Sequence, residues 1–185
     1  MSIPIKNIYY LLCYAWDKLD EGKKVDVSLS DYDDSINLLS RVLINGCNNL
    51  FKRGIERGYI ETNQVYIGVK GKIDFNESLH KNLFKQGKSV CIFDEFTQNI
   101  LQNQLIKATL FRLTRIKNIN KELNKDIWNC YWWLDEVNDI EINTSLFSLV
   151  RIHRNNSFYD FLLRVCQLII EHCVLDEQTG AYKLK

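Results

Sequence analysis

The sequence predicts an α+β fold, mostly helical, with a small antiparallel sheet or β-hairpin inserted between helices. Towards both ends of the chain, apolar residues recur at spacings of three and four, which is the period of an amphipathic helix. Over residues 59–75 the apolar period changes to two, which is typical of strands. These strands are expected to bend near Gly68 or Gly71.

Two helices are predicted before the sheet. Asn7 is a plausible N-cap for the first, and the polar segment 20–24 is expected to end it as a turn. The second is predicted to follow Ser30, whose spacing to Asp33 resembles a capping pair, and to close near Gly54. Its apolar stripe consists of Leu39, Val42, Leu43, Cys47, Leu50 and Phe51.

The β-element, about residues 59–96, is followed by three further predicted helices. A strand is expected over 90–96, whereas the basic segment 76–88 has no clear pattern. Thr97 is predicted to cap the third helix. The fourth is predicted around Leu123 to Leu134, and the last after Ser157, ending near Gly180.

Size and charge restrict the possible function classes. The 185 residues carry a formal net charge of +1, so any surface that attracts nucleic acid must be local. No apolar run is long enough to span a bilayer, which predicts a cytoplasmic protein without membrane association. The six cysteines form no Cys-x-x-Cys pair, and we expect buried reduced thiols and no metal site.

No catalytic motif is found. Glu21-Gly22-Lys23 has the spacing of a nuclease Glu-x-Lys, but it lies in a predicted turn rather than on a strand. Asp94 and Glu95 are adjacent on a predicted strand, where neighbouring side chains point to opposite faces, so a cap or salt bridge is the simpler interpretation. A P-loop motif is also missing.

Two local basic segments and a group of tryptophans are candidates for binding. Such segments can contact phosphates or an acidic protein surface, or can be ordinary exposed faces. The first contains Lys70, Lys72, Lys81, Lys85 and Lys88, and the second Lys107, Arg112, Arg115, Lys117 and Lys121. Trp128, Trp132 and Trp133 are interpreted as core residues, with an exposed docking strip as the alternative.

Four blocks in order resemble the first half of McrC proteins, which are subunits of 5-methylcytosine-specific McrBC restriction systems. The blocks are residues 3–16, residues 68–75, residues 93–97 with Asn103 and Lys107, and residues 161–170 with 180–182. Two positions depart from the family pattern, which often has Asp at the position of Asn99 and Arg at that of Gln104.

The resemblance implies an amino-terminal partner-docking domain over residues 1–185, with the family's PD-(D/E)xK nuclease domain absent from this chain. Such a domain docks on a hexameric McrB-type AAA+ GTPase ring and stimulates its GTP hydrolysis. GTP and Mg²⁺ would be bound by the partner and by the missing nuclease domain, so no cofactor is expected here, and DNA would be engaged through the assembled complex.

The basic β-bend and the family resemblance together predict a partner-binding site. The β-bend is predicted to contact the ring through Lys70, Gly71, Lys72 and Asp74. The remaining family positions are expected to be structural: Asn7, Tyr10, Trp16, Asp94, Glu95, Asn103 and Lys107. The alternative is a non-catalytic DNA-binding module that uses the two basic segments.

Overall fold

The computed structural model describes residues 5–25, 35–151 and 156–179. It contains two compact units. A helical unit is formed by the chain up to Ile55 and from Leu101 onwards, and a β unit is formed by Glu56–Ile100. The predicted α+β class is confirmed, since helices dominate and the sheet is a small antiparallel one.

Seven α-helices and three strands make up the described elements. In chain order they are α1 Ile5–Ala15, α2 Leu19–Lys24, α3 Ser35–Arg53, β1 Gly58–Ile67, β2 Lys72–Asp74, α4 Phe75–His80, β3 Lys88–Thr97, α5 Leu101–Thr114, α6 Lys121–Trp133 and α7 Ser157–Thr179. Short 3₁₀ helices occupy Phe84–Gln86 and Thr144–Leu149.

The core of the helical unit is built by α3, α5, α6 and α7. Helices α3, α6 and α7 have an apolar face, because their large aliphatic residues recur at the helical period. Helix α5 is enclosed on most sides, since the consecutive residues 105–110 are all buried. The predicted stripes of α3 and α7 are buried, with Val42, Leu43 and Leu162 fully inside. All six cysteines are buried and free, as predicted.

The first helical segment differs from the prediction in two ways. Asn7 lies inside α1 and so cannot be its N-cap, and residues 20–24 form α2 instead of a turn. The reason is tertiary: the Tyr9 hydroxyl donates to the Gly22 carbonyl at 3.1 Å, and a Cβ on Gly22 would come within 2.7 Å of Cys13 Sγ. The close packing of α1 therefore stabilises α2, a short helix that the sequence of residues 19–24 does not predict by itself.

The other predicted helix boundaries agree with the structure only in part. Thr97 does not cap α5, because this helix begins only at Leu101. The Thr97 hydroxyl instead accepts the Asn99 N–H at 3.1 Å in the turn before the helix. Asn120 caps α6 by accepting the Glu122 N–H. The proposed cap at Ser30 and Asp33, and the helix end near Gly180, lie outside the described residues.

Of the three tryptophans interpreted as core residues, only Trp128 packs against the core. Trp132 is 67% exposed and Trp133 47% exposed, while Trp128 is half-buried. Trp133 stacks on Phe51 of α3 with the ring centroids 3.9 Å apart. The core interpretation is therefore wrong for Trp132 and Trp133, and their exposed rings agree with the alternative of an aromatic strip.

The sheet has the order β1-β3-β2, with β3 in the centre and antiparallel to both neighbours. Val65 lies opposite Val90, and Asp74 lies opposite Val90 from the other side. The chain must therefore cross β3 between the end of β1 and the start of β2, and only residues 68–71 are available for the crossing. The predicted bend near Gly68 or Gly71 is confirmed, since these glycines are the two ends of this segment.

Candidate partner-binding surface

The crossover segment, residues 68–71, is fixed to β3 by hydrogen bonds. The Gly68 N–H donates to the Gly87 carbonyl at 3.1 Å, and the Ser89 hydroxyl donates to the Gly68 carbonyl at 2.6 Å. In the middle of the segment, the Lys70 N–H points at Cys91 Sγ at 3.3 Å. The predicted β-bend is therefore an ordered part of the β unit.

Gly71 allows the crossing to lie close to β3. Its φ is +68°, and a Cβ built on it would lie 2.4 Å from the Ile92 carbonyl oxygen and 2.8 Å from Phe93 Cβ. Both facts require glycine, because L-residues avoid this φ and because the clash is with backbone. Among the predicted contact residues, Gly71 thus has a demonstrable role in the local fold.

The two lysines of the bend occupy different environments. Lys70 Nζ lies 3.8 Å from the centroid of the Phe93 ring and 5.3 Å from that of Tyr66, a cation–π arrangement that holds its charge against the sheet. Lys72 is exposed on the short edge strand β2 and forms no ion pair within the described ranges. Lys72 is therefore the available cation of the bend.

Asp74 has a local use that the sequence prediction missed. Its carboxylate accepts the Glu77 N–H at 2.9 Å and caps α4. Its carbonyl accepts the Ser78 hydroxyl at 2.6 Å, and the same hydroxyl accepts the Val90 N–H at 2.8 Å. The partner contact of Asp74 stays a prediction, and the structure adds the role of helix cap.

The β unit carries more than half of the large apolar side chains that are exposed in the described part of the chain. Nine large apolar side chains are exposed: Tyr59, Val65, Tyr66, Ile67, Val69, Phe75, Leu79, Phe84 and Phe96. Phe75 and Leu79 share one face of α4, and the rings of Phe75 and Phe84 are 6.1 Å apart. Exposed apolar clusters of this kind mark interaction surfaces.

The alternation of apolar residues in this region is visible in the sequence, but their exposure was not predicted from it. A signal was present, because residues 56–100 contain more large apolar side chains than a three-stranded sheet with one short helix can cover. The first basic segment also carries less unpaired positive charge than its composition suggests. The Lys81 ammonium is bonded to the Glu77 carboxylate at 2.6 Å, which lowers the pKa of Glu77, with a further contribution from Asn63.

Two of the expected structural positions are buried polar residues of the helical unit. Asn103 is 1% exposed and its side-chain oxygen accepts the Tyr159 hydroxyl at 3.0 Å. Lys107 is 6% exposed, and its Nζ donates to the Val137 carbonyl at 2.6 Å. The same ammonium lies 3.7 Å from Asp139 Oδ2 and 5.0 Å from the centroid of the Tyr131 ring.

Because Lys107 is buried, the second basic segment has fewer exposed cations than its sequence suggests. Lys107 faces the interior of the helical unit, so it cannot join a surface with Arg115, Lys117 and Lys121, which are all exposed or partly so. The segment therefore divides into one internal lysine and a group of cations around the α5–α6 connection.

The other expected structural positions are less enclosed. Asn7 and Tyr10 are exposed on α1, whereas Trp16 packs against the core. Asp94 and Glu95 are exposed on β3, opposite Glu61 and Ile60 of β1. As adjacent strand residues they point to opposite faces, and neither caps a described helix nor forms a salt bridge within the described ranges.

Tyr9 was not singled out from the sequence although it is 3% exposed and joins α1 to α2. Burial raises the pKa of its hydroxyl, with a contribution from the Cys13 thiol. Its neighbour Tyr10 has the same residue type and is exposed, so only the packing of α2 distinguishes the two.

The Glu21-Gly22-Lys23 tripeptide does not resemble a nuclease site. The Glu21 carboxylate accepts the Ser157 hydroxyl, and this hydrogen bond lowers the pKa of Glu21. Lys23 Nζ lies 3.7 Å from Asp20. Across residues 5–25, 35–151 and 156–179, no three His, Cys, Asp or Glu side chains are grouped as metal ligands would be. Within the same ranges, every helix is too short or too polar to traverse a bilayer.

Comparison with known proteins gives consistent matches. The family described as McrBC 5-methylcytosine restriction system component matches residues 6–184. The type IV methyl-directed restriction enzyme EcoKMcrBC of Escherichia coli (strain K12) is 29% identical over 181 residues, which are 98% of this chain and 52% of that protein.

Two solved structures share the fold. A chain in the cryo-EM structure of the Thermococcus gammatolerans McrBC complex matches with a TM-score of 0.66 at 14% identity, over 97% of this chain and 59% of that one. A chain in the refined half-complex of T. gammatolerans McrB AAA+ hexamers with bound McrC matches with a TM-score of 0.60 at 15% identity, over 81% and 38%. This chain thus spans between about two fifths and three fifths of the proteins that it matches, and it belongs to the McrBC 5-methylcytosine restriction system component family.

Proposed function

We propose that this chain docks on a hexameric AAA+ GTPase ring of the McrB type through its β unit and stimulates GTP hydrolysis by that ring. In the assembled system this hydrolysis would drive cleavage of DNA that carries 5-methylcytosine. The cutting step would belong to a PD-(D/E)xK nuclease domain, as the family resemblance implies.

The observation that carries the proposal is the surface of the β unit. Val69 within the crossover segment is 67% exposed, and Ile67 just before it is 79% exposed. Lys72, directly after the segment, adds an available cation. An apolar surface with an unpaired cation beside it suits a protein groove with a carboxylate at its edge, because apolar burial gives affinity and the charge pair gives orientation.

The names of the similar structures support the choice of partner. One is a complex of McrB and McrC, and in the other McrB AAA+ hexamers hold bound McrC. Because this chain shares the fold of those structures at 14% and 15% identity, we propose the same type of assembly for it. The surface of the β unit supplies an independent reason, since it is apolar without a covering element in the unit itself.

The test is stimulation of the partner's GTPase rate by the purified chain. Lys72→Ala should weaken stimulation about five- to tenfold, as expected for loss of one interfacial charge pair worth about 1 kcal/mol. Val69→Ser should have a similar effect, because it removes apolar contact area. Thermal unfolding should be unchanged for both variants, since both side chains are exposed.

Lys85→Ala is the matched control, because Lys85 is an exposed lysine of the same unit that lies in the 3₁₀ turn 84–86 rather than at the crossover. Equal stimulation by wild type, Lys72→Ala and Val69→Ser would reject the β unit as the docking surface. A chain that binds the ring without changing its GTPase rate would reject the stimulatory role and retain the docking.

A further inference from the structure

One face of α6 carries two lysines followed by two tryptophans. Lys121, Lys125, Trp128 and Trp132 are spaced i, i+4, i+7 and i+11, so they fall within roughly 60° of the helix circumference. We call these four residues the α6 stripe. At about 1.5 Å of rise per residue, the stripe is roughly 16 Å long.

The stripe is accessible and its aromatic part is already ordered. Trp132 is 67% exposed. The rings of Trp128 and Trp132 are stacked, with centroids 6.2 Å apart and planes at 23°. Tyr131 meets both rings edge-on, at 5.5 Å and 5.3 Å. The exposed face of Trp132 is therefore held in place, and little entropy would be lost when a flat ligand stacks on it.

The charges around the stripe favour an anion. Lys121 and Lys125 are exposed and form no ion pair in the described part of the chain. Each lysine is followed directly by an acid. Asp126 is already paired with Arg41 at 2.9 Å. Glu122 lies about 100° around the helix from Lys121 and forms no ion pair with Lys125. No acidic residue belongs to the stripe itself.

A further cation extends this surface onto α5. The Arg115 guanidinium lies 4.4 Å from the centroid of the Phe111 ring, and Phe111 packs against Tyr131 at 5.7 Å. An ordered row of aromatic rings thus connects the stripe to an exposed arginine at the end of α5.

We infer that the α6 stripe binds single-stranded nucleic acid, with Lys121 and Lys125 at backbone phosphates and a base stacked on Trp132. Aromatic platforms beside cations are the combination that sequence-tolerant single-strand binding requires. A duplex fits less well, because its base faces are stacked on one another and cannot reach the indole. The inference is independent of docking on the GTPase ring, since it concerns the helical unit and needs no partner.

The experiment uses the full chain and a fluorescently labelled 12-nucleotide oligothymidylate, followed by anisotropy. Trp132→Ala should weaken binding about tenfold, as expected for loss of one stacked base. Lys121→Gln with Lys125→Gln should weaken binding and reduce the slope of log K against log salt by about 1.4, since each phosphate contact contributes about 0.7 for single strands.

Control variants separate stacking and charge from folding. Trp132→Phe keeps a ring and should retain most of the affinity, which also guards against a folding defect in Trp132→Ala. Lys23→Gln with Lys85→Gln removes two exposed lysines elsewhere and should leave both affinity and salt slope unchanged. Quenching of tryptophan fluorescence on titration should be lost in Trp132→Ala.

Three results would overturn the inference: equal binding by wild type and the stripe variants, equal affinity for a duplex of the same length, or equal competition by an acidic peptide of the same charge. The last two would indicate, respectively, charge attraction alone and a protein ligand. None of these results would bear on GTPase stimulation, which is measured separately.

Discussion

Gly71 is the residue whose replacement the β unit should tolerate least. Gly71→Ala forces a Cβ at a φ of +68° to within 2.4 Å of the Ile92 carbonyl oxygen, so we expect a loss of unfolding free energy of about 2–4 kcal/mol. Gly68→Ala is the control: its φ is +87° but the space around it is open, which predicts a loss of only about 1 kcal/mol. Denaturant unfolding of both variants tests this, and equal losses would show that the close approach is unimportant.

Lys107 is a buried cation that holds the segment after α6. Lys107→Met keeps the aliphatic stem but removes the donor to the Val137 carbonyl, and we expect a destabilisation of about 1–3 kcal/mol because a buried acceptor is left unpaired. Lys117→Met changes an exposed lysine and should alter stability by less than about 0.5 kcal/mol. A neutral effect of Lys107→Met in chemical denaturation would contradict the structural role.

The contact between Glu21 and Ser157 should make stability depend on acid pH. The hydrogen bond from Ser157 lowers the pKa of Glu21 in the folded chain, so the unfolded chain binds more protons as the pH falls. The stabilisation is fully present above the unfolded carboxyl pKa of about 4.3 and is lost as the pH falls through the folded value. Denaturation midpoints from pH 3 to 6 should therefore fall less steeply for Ser157→Ala than for wild type. Parallel curves would show that the contact has no linkage to pH.

The blocks that resemble the family identified residues with defined contacts, but they did not always predict what each residue does. Asn103 and Lys107 were expected to be structural, and both make buried polar contacts. Asp74 was expected at the partner surface, and its role as the cap of α4 was not predicted. The carboxylate of an Asp in such a block can serve either purpose, and only the start of a helix one residue later reveals the cap.

At the scale of elements, helices with one buried face were predictable and elements defined by their neighbours were not. The stripes of α3 and α7 follow from their own period, since their large residues are buried together. Helix α2 depends on Tyr9 and Cys13 of another helix. The period-two pattern predicted strands, but it contains no information on which edge of β3 receives β2.

The exposed apolar residues of α4 bear on the docking proposal at this scale. Phe75 and Leu79 are each 62% exposed and lie one turn apart. Phe75→Ser with Leu79→Ser should therefore lower affinity for the GTPase ring, because contact area is lost, while raising the solubility of the isolated chain. Titration of the ring followed by GTPase rate measures the first effect. Unchanged affinity would restrict the docking surface to the crossover segment.

At the scale of the whole chain, the two units differ sharply in how much apolar surface they bury. The large buried cluster lies entirely in the helical unit and includes Phe161, Leu162 and Leu110. Among residues 56–100, the buried hydrophobic side chains are Val90, Cys91 and Ile100. Composition alone could not show this division, since apolar residues are frequent in both parts of the sequence.

This difference predicts two levels of local stability. Because opening free energy follows the apolar contacts that an element buries, amides of β1 and β3 should exchange with deuterium faster than those of α5, α6 and α7 under native conditions. Binding of the GTPase ring should then slow exchange in the β unit, since a partner that binds only the closed form adds RT ln(1 + [L]/Kd) to its opening free energy. Mass spectrometry of peptides from both units, with and without the ring, measures both effects. Uniform protection across the free chain would mean that hydrogen bonds between the sheet and the crossover segment compensate for the small core of the β unit. Protection gained in α5–α7 instead of the β unit would place the docking surface on the helices.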